Sequence, residues 1–210
     1  MLRTLMFFAL AIVSIIAIAA DGQPVKAPYI ERGDCWSYHV QNLDHLGRID
    51  DFEFCVTFVD REKDVMLGLF TVKGTGRELN AAFTLEWNPH VSITGTISSP
   101  ATKYFKFPLH VGDRYSSTQE WRRPLEGPNE GRTRWTMEVV GWEQITVPAG
   151  AFRALRIEGS GAVERYDTRS TFPVTITFWY VPEVNSYVKF LYVIPSGPYG
   201  QELTGYRLTK

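Results

Sequence analysis

Hydrophobic and polar residues alternate with a period of two along most of this chain, which predicts half-buried antiparallel strands. Phe52, Phe54, Val56 and Phe58 fall on one face, with Glu53, Cys55 and Thr57 on the other. Val65, Leu67 and Leu69 alternate in the same way, and Phe83, Leu85 and Trp87 share a face opposite Ala82, Thr84 and Glu86. Further on, Trp135, Met137 and Val139 alternate with Thr136 and Glu138. Strand 175–181 differs, because Trp179 and Val181 make its second face apolar behind Ile176, Phe178 and Tyr180. A strand apolar on both faces needs cover on both, and this predicts that Phe178 and Tyr180 face a lumen or an interface.

Turn chemistry interrupts the pattern at strand-length intervals: Asp60 to Asp64, Gly74-Thr-Gly76, Asn88-Pro89, Gly112-Asp113, Gly127 to Gly131, Pro148-Ala-Gly150 and Pro195-Ser-Gly-Pro198. Each supplies a φ near −65° or a residue that tolerates positive φ. No helical period runs for three turns beyond the N-terminus. The expected fold is all-β and antiparallel, with about ten to twelve strands in an open or half barrel, a two-sheet sandwich being the alternative.

The N-terminus breaks the alternation. From Leu5 to Ala20 only Ser14 is not apolar, Arg3 precedes the run, and Ala17 and Ala19 form an A-x-A cleavage site. These sixteen residues, fifteen of them apolar, make a helix of ~24 Å, short of a ~30 Å hydrocarbon core. The reading is a signal peptide over 1–19, a polar extended leader with two prolines over 20–33, and one β domain over 34–210. Localisation is then periplasmic or secreted, with no stable membrane span after cleavage. Cys35 and Cys55 both lie in the exported part, are even in number, and are expected to pair in an oxidising compartment.

Charge excludes some partners. With 22 Lys and Arg against 23 Asp and Glu, the chain has no electrostatic footprint for nucleic acid. Hydrophobic content of 44% with 14% aromatics excludes a disordered chain.

The chemistry-bearing signatures are mostly absent: the sequence has no G-x-S-x-G, no P-loop and no H-E-x-x-H, and it calls for no cofactor. Gly74-Thr-Gly76 reads as a hairpin turn. His39, His45, His90 and His110 have no nucleophile or metal-ligand spacing beside them. Asp44, His45, Asp50 and Asp51 read as a solvated acidic loop, so no metal is assigned. Glu86 and Glu138 are expected on strands, with nothing to bring them together for glycoside hydrolysis. The six tryptophans and ten tyrosines are the remaining signal, and Trp87, Trp135, Phe178 and Tyr180 are the expected ligand-binding residues of a barrel cavity.

Three segments carry a family resemblance. Phe107-Pro-Leu109 with Val111-Gly-Asp113, Val147-Pro-Ala-Gly-Ala-Phe152, and Trp179-Tyr-Val-Pro182 with Val188-Lys189 resemble, in that order, the F-P-L-x-x-G-D, V-P-A-G-x-F and W-Y-x-P motifs of an uncharacterised family of exported bacterial β-proteins. The family is loosely similar to the open barrels that carry lipoproteins through the periplasm. The resemblance implies a periplasmic, non-enzymatic barrel or half barrel. Read from the residues alone, Val147 to Gly150 suits a tight turn and Pro182 ends a strand.

Three function classes follow. The first is a non-enzymatic exported module that holds an apolar or amphipathic ligand, such as a lipid or acyl chain, in the barrel. A structural or adaptor protein of the cell envelope is the second, and a hydrolase acting on envelope polymers the third. The partner is accordingly a small apolar ligand or an envelope protein. Oligomeric state is not encoded in any pattern.

Overall fold

The computed structural model describes residues 22–41, 51–124, 127 and 129–209. The signal-peptide segment 1–19 and the acidic-loop residues Asp44, His45 and Asp50 lie outside them. Twelve strands form among the described residues: β1 (Cys35–Gln41), β2 (Phe52–Asp60), β3 (Val65–Val72), β4 (Glu78–Phe83), β5 (Pro89–Val91), β6 (Ile97–Ser99), β7 (Arg114–Arg122), β8 (Glu130–Val147), β9 (Gly150–Arg165), β10 (Ser170–Val181), β11 (Ser186–Ile194) and β12 (Gly197–Arg207). Each pairs antiparallel with its neighbour in sequence, and β1 pairs with β12, from Cys35 opposite Arg207 to Gln41 opposite Gly200. The barrel is therefore closed, which corrects the expectation of an open or half barrel and removes the sandwich. A seam between the first and last strands leaves no local mark in sequence.

The alternation works as expected along most strands, but β2 and β3 correct it. A bulge between Val56 and Phe58 turns Phe58 off the Phe52–Val56 face and leaves it 48% exposed. On β3 it is Met66, Gly68 and Phe70 that face inward, with Leu67 41% exposed. On β7 the inward residues are Tyr115, Ser117, Gln119 and Trp121, and on β8 they include Gly131, Thr133, Trp135, Met137 and Val139. Glycine on the inner face makes room for the large rings. A Cβ on Gly161 would lie 2.3 Å from the Arg134 carbonyl oxygen and 2.9 Å from the Trp135 ring, so that indole lies flat against the backbone of β9. Gly131 does the same for Trp121, whose ring would be 2.6 Å from an added Cβ. Such close approach is what a strand glycine allows.

A barrel of this many strands is too wide for its strand side chains alone to fill. Two non-strand segments fill one end. In the turn 84–88, Thr84 Oγ1 accepts the amides of Glu86 and Asn88 at 3.2 Å each, and Trp87 takes a φ of 65°. Phe83, Leu85 and Trp87 therefore do not share one strand face, and Glu86 sits in a turn: the Thr84 side chain ends β4 where the alternation alone continues it. The second segment, residues 100–109, inserts Phe105 and Leu109, each 1% exposed. Asn88 clamps it from within: its Oδ1 accepts the Tyr104 and Phe105 amides at 2.7 and 2.8 Å, and its Nδ2 donates to the Phe105 carbonyl at 2.9 Å. The described part of the leader straps this end. Val25 bridges Leu109, Ile30 is fully buried, and Asn185 Nδ2 donates to the Tyr29 carbonyl at 3.1 Å.

The outer face of the long strands is polar. Cross-strand ion pairs join Arg114 to Glu138 at 2.9 Å, Arg132 to Glu120 at 2.7 Å and Lys189 to Glu202 at 2.8 Å. Trp179, the unusual outward residue of β10, is half-buried among these groups: its Nε1 donates to Glu143 and Lys189 Nζ lies 5.6 Å from its ring centroid. Polar cross-strand neighbours thus cover part of the second apolar face. Cys35 and Cys55 sit directly opposite in the β1–β2 register, 4.2 Å apart at Cα, and form a disulfide. Pro182 ends β10 as expected and opens a short 3-10 turn, Pro182–Val184.

Candidate functional site

The strands alternate direction, so their connections segregate to two ends. The turn 84–88, the segment 100–113, the Pro148-Ala149 turn and the 3-10 turn lie at the filled end. At the other end are the turns 92–96, 166–169 and 195–196, together with Arg123 and Asn129 where β7 ends and β8 begins. Below these turns the barrel keeps an open cavity of about 580 Å³.

Its floor is aromatic. Tyr104, lifted into the lumen by the 100–109 segment, meets Trp135 edge-on at a centroid distance of 5.7 Å, and Trp135 meets Tyr192 at 6.3 Å. Phe190 and Tyr199 complete it, 5.3 Å apart. The walls differ in character. On the arc from β5 to β8 the lining is mostly hydroxyl, amide and indole, from residues such as Thr96, Ser98, Gln119, Trp121 and Thr133, with Pro89 and Ile93 its apolar members. On the arc from β9 to β12 it is apolar, with Val163, Phe172 and Ile194 above the tyrosines. Arg123 and Arg165 stand near the mouth. Arg123 donates to Thr96 Oγ1 at 2.9 Å with its guanidinium 5.8 Å from the Trp121 ring, while Arg165 forks onto Asp167 at 2.6 and 3.1 Å. None of the described lining residues is acidic, and none is His or Cys.

Burial governs the phenols. It raises the Tyr104 and Tyr199 hydroxyls well above the ordinary range, with neighbouring tyrosines adding to the effect. Tyr192 is pushed up to about 12 by burial, moderated by Arg123. All three stay protonated as neutral donors and acceptors across the physiological range.

Of the four residues expected at a cavity, Trp135 lines this one. The other three lie in the packed half. Phe178 is surrounded by Tyr104, Phe105, Tyr187 and Phe190, and Tyr180 by Phe105 and Phe107. Trp87 packs on Trp36 and Phe54 and donates to the Asn185 carbonyl at 2.7 Å. Among the other lining residues, Trp121 is one of the six tryptophans of the aromatic signal but not one of the four expected residues. Gln119, beside it on the inward alternation of β7, has a polar side chain that the apolar pattern does not pick out. His39 binds Asp51 at 2.7 Å and His110 binds Asp113 at 3.2 Å, both outside the cavity. Glu138 is held by Arg114, whereas Glu86 lies near Asp64 and Lys103, with burial and Asp64 raising its pKa. Glu53 approaches Cys35 and Cys55, but the sulfurs are spent on each other and offer no metal ligand.

No protein-family model matches this chain, and no curated protein sequence does. Solved structures do. A lipoprotein candidate from Parabacteroides distasonis superposes with a TM-score of 0.56 at 13% identity, covering 88% of this chain and 100% of that one. An exported-protein candidate with a YmcC-like fold from Bacteroides fragilis gives 0.51 at 12% identity, again over 88% and 100% of the two chains. At such identity the likeness is one of fold: this chain has the same barrel architecture.

Proposed function

We propose that this protein is an exported binding module that holds one amphipathic ligand, an acyl-chain lipid, in the open half of its barrel. The observation that carries the reading is the cavity of about 580 Å³, apolar on the β9–β12 arc and hydrogen-bonding on the β5–β8 arc. Its volume falls within the ~300–1,000 Å³ of usual small-molecule sites. The chain of such a ligand lies against Val163, Phe172, Phe190 and Ile194. Its polar end lies toward the hydroxyl- and amide-bearing β5–β8 arc.

Binding is favoured over catalysis because the described lining supplies no carboxylate, imidazole or thiol to serve as base or nucleophile, and its phenols are held neutral. An exported site of action is supported by the signal-like N-terminus, the disulfide, and the fold shared with exported and lipoprotein candidates. The charged outer face of β7 to β12 supports a barrel in water rather than one in lipid, whose outer band would be apolar. Native mass spectrometry of the protein purified from its own cells tests the reading. The expected spectrum shows a non-covalent adduct of lipid mass that dissociates on activation. A bare polypeptide mass, together with no change in tryptophan emission on titration with long-chain amphipaths, would overturn it.

A further inference from the structure

The open half of the barrel is broad but shallow. Along β11 its lining runs from Phe190 to Ile194, and along β8 from Thr133 to Trp135. Below that band the lumen is packed: Met137 and Val174, the next inward residues of β8 and β10, are 0% and 2% exposed. Phe190 and Ile194 lie ~14 Å apart along their strand, and a strand tilt of ~40° turns this into a depth of ~10 Å along the barrel axis. Tyr104 closes the bottom. Its amide is held by Asn88 Oδ1 at 2.7 Å, its carbonyl accepts the Tyr115 hydroxyl at 2.7 Å, and its ring is backed by Phe178 at 5.2 Å between centroids.

Depth and volume together set the shape of the ligand. An extended carbon chain advances ~1.25 Å per bond, so about eight carbons of a straight chain fit between mouth and floor. A methylene takes up ~27 Å³ at interior packing density, and a chain of that length fills less than half of the 580 Å³. That volume over ~10 Å of depth is a section of about 60 Å², against ~20 Å² for one chain. A longer straight chain therefore leaves its far end in water, or folds back at a cost in conformational entropy. Resting on the amphipath reading above, we propose that the site takes a lipid whose apolar part is short and broad, two acyl chains of about eight carbons side by side over Tyr104, in preference to one long straight chain. The chains lie against Val163, Phe172 and Ile194 and over the rings of Phe190, Tyr192 and Tyr199, with the atoms that join them toward the β5–β8 arc. Two such chains occupy ~430 Å³ and leave room for that polar link.

The test is titration of the full exported protein, followed by tryptophan emission and native mass spectrometry, with dioctanoylphosphatidylcholine and palmitoyl-lysophosphatidylcholine as monomers. The two probes share a head group and the same total of acyl carbons, arranged as two chains or as one. The dioctanoyl probe should bind ~10-fold or more tightly. Tyr104→Ala deepens the well by ~100 Å³ and should bring the two affinities within ~3-fold of each other, whereas Tyr104→Phe, which keeps the floor, should retain the preference. Tyr104→Leu is a milder second variant should the alanine fail to fold, and should narrow the preference in the same direction. A lysolipid that binds the wild type as tightly as the dioctanoyl probe, or a preference that survives undiminished in folded Tyr104→Ala or Tyr104→Leu, would overturn the shape selection while leaving the amphipath reading standing. If neither probe binds, both fall.

Discussion

Gly161 offers a sharp test of how the cavity floor is built. The residue faces Trp135 across the β8–β9 ladder, and a methyl group there would meet the Arg134 carbonyl at 2.3 Å and the indole at 2.9 Å. A side chain can rotate away; a ladder carbonyl cannot without breaking register. Overpacking of this kind costs ~1–3 kcal/mol, while alanine recovers ~0.4–1 kcal/mol by restricting the unfolded chain. Gly161→Ala should therefore destabilise by about 1–2 kcal/mol, or roughly 2–8 °C in Tm for a chain of this size. Gly205→Ala is the control, since no atom lies within 4 Å of its added Cβ; it should leave Tm unchanged or slightly raised. Both are read by thermal unfolding in circular dichroism, with the near-ultraviolet band reporting displacement of Trp135. A Gly161→Ala variant that melts within ~1 °C of the wild type, or two variants that lose equal stability, would refute close packing of Trp135 on Gly161.

Further outcomes follow from other contacts. Replacing Cys35 and Cys55, which are 20 residues apart in sequence, by alanine should cost ~3 kcal/mol by chain entropy, and a urea titration showing a loss below ~1 kcal/mol would refute it. Asn88→Ala strips the partners from two buried amides and should speed hydrogen exchange at Tyr104 and Phe105 while costing ~2–4 kcal/mol; unchanged protection there would show that the clamp is redundant. The phenols predict alkaline instability, because their folded pKa values lie above the unfolded value of ~10. Their stabilising effect is complete below pH ~10 and is lost as pH rises towards the folded values. Unfolding should therefore track tyrosinate absorbance above pH ~10, and a flat stability curve there would contradict the burial of Tyr104 and Tyr199.

Strand existence was readable wherever inward residues were apolar, as in Phe52 to Val56 or Ile176 to Tyr180, although the bulge that turns Phe58 outward left no mark in the alternation. It failed locally at Trp87, because Thr84 captures the following amides and turns the chain while the alternation continues unbroken in sequence. The resemblance motif Phe107-Pro-Leu109 marked a segment important to the fold, but not that the residues before it plug a lumen: apolar character alone does not say which end of a barrel a loop enters. The cavity itself was half legible. Trp135 stood out as an aromatic on a clear strand, whereas Gln119 on the same wall has no apolar signature and joins the lining only through the pairing of β7 with β8. Phe178 and Tyr180 drew attention for a second apolar face that Glu143 and Lys189 cover from other strands, a fact of register rather than of local pattern.

The β1–β12 seam has a mechanical consequence. Cys35 begins β1, Arg207 ends β12, and Thr209 reaches back to Asp34 through its amide at 2.7 Å and its hydroxyl at 2.6 Å. The chain therefore enters and leaves the barrel at one point, on antiparallel neighbours. Tension applied between these two positions would load the seam bonds one after another, as a zipper opens, instead of shearing them together. The two sides of the seam are not equal under that load. On one side the Cys35–Cys55 disulfide passes the force directly into β2, so β12 would peel first and the sheet would open from its C-terminal edge.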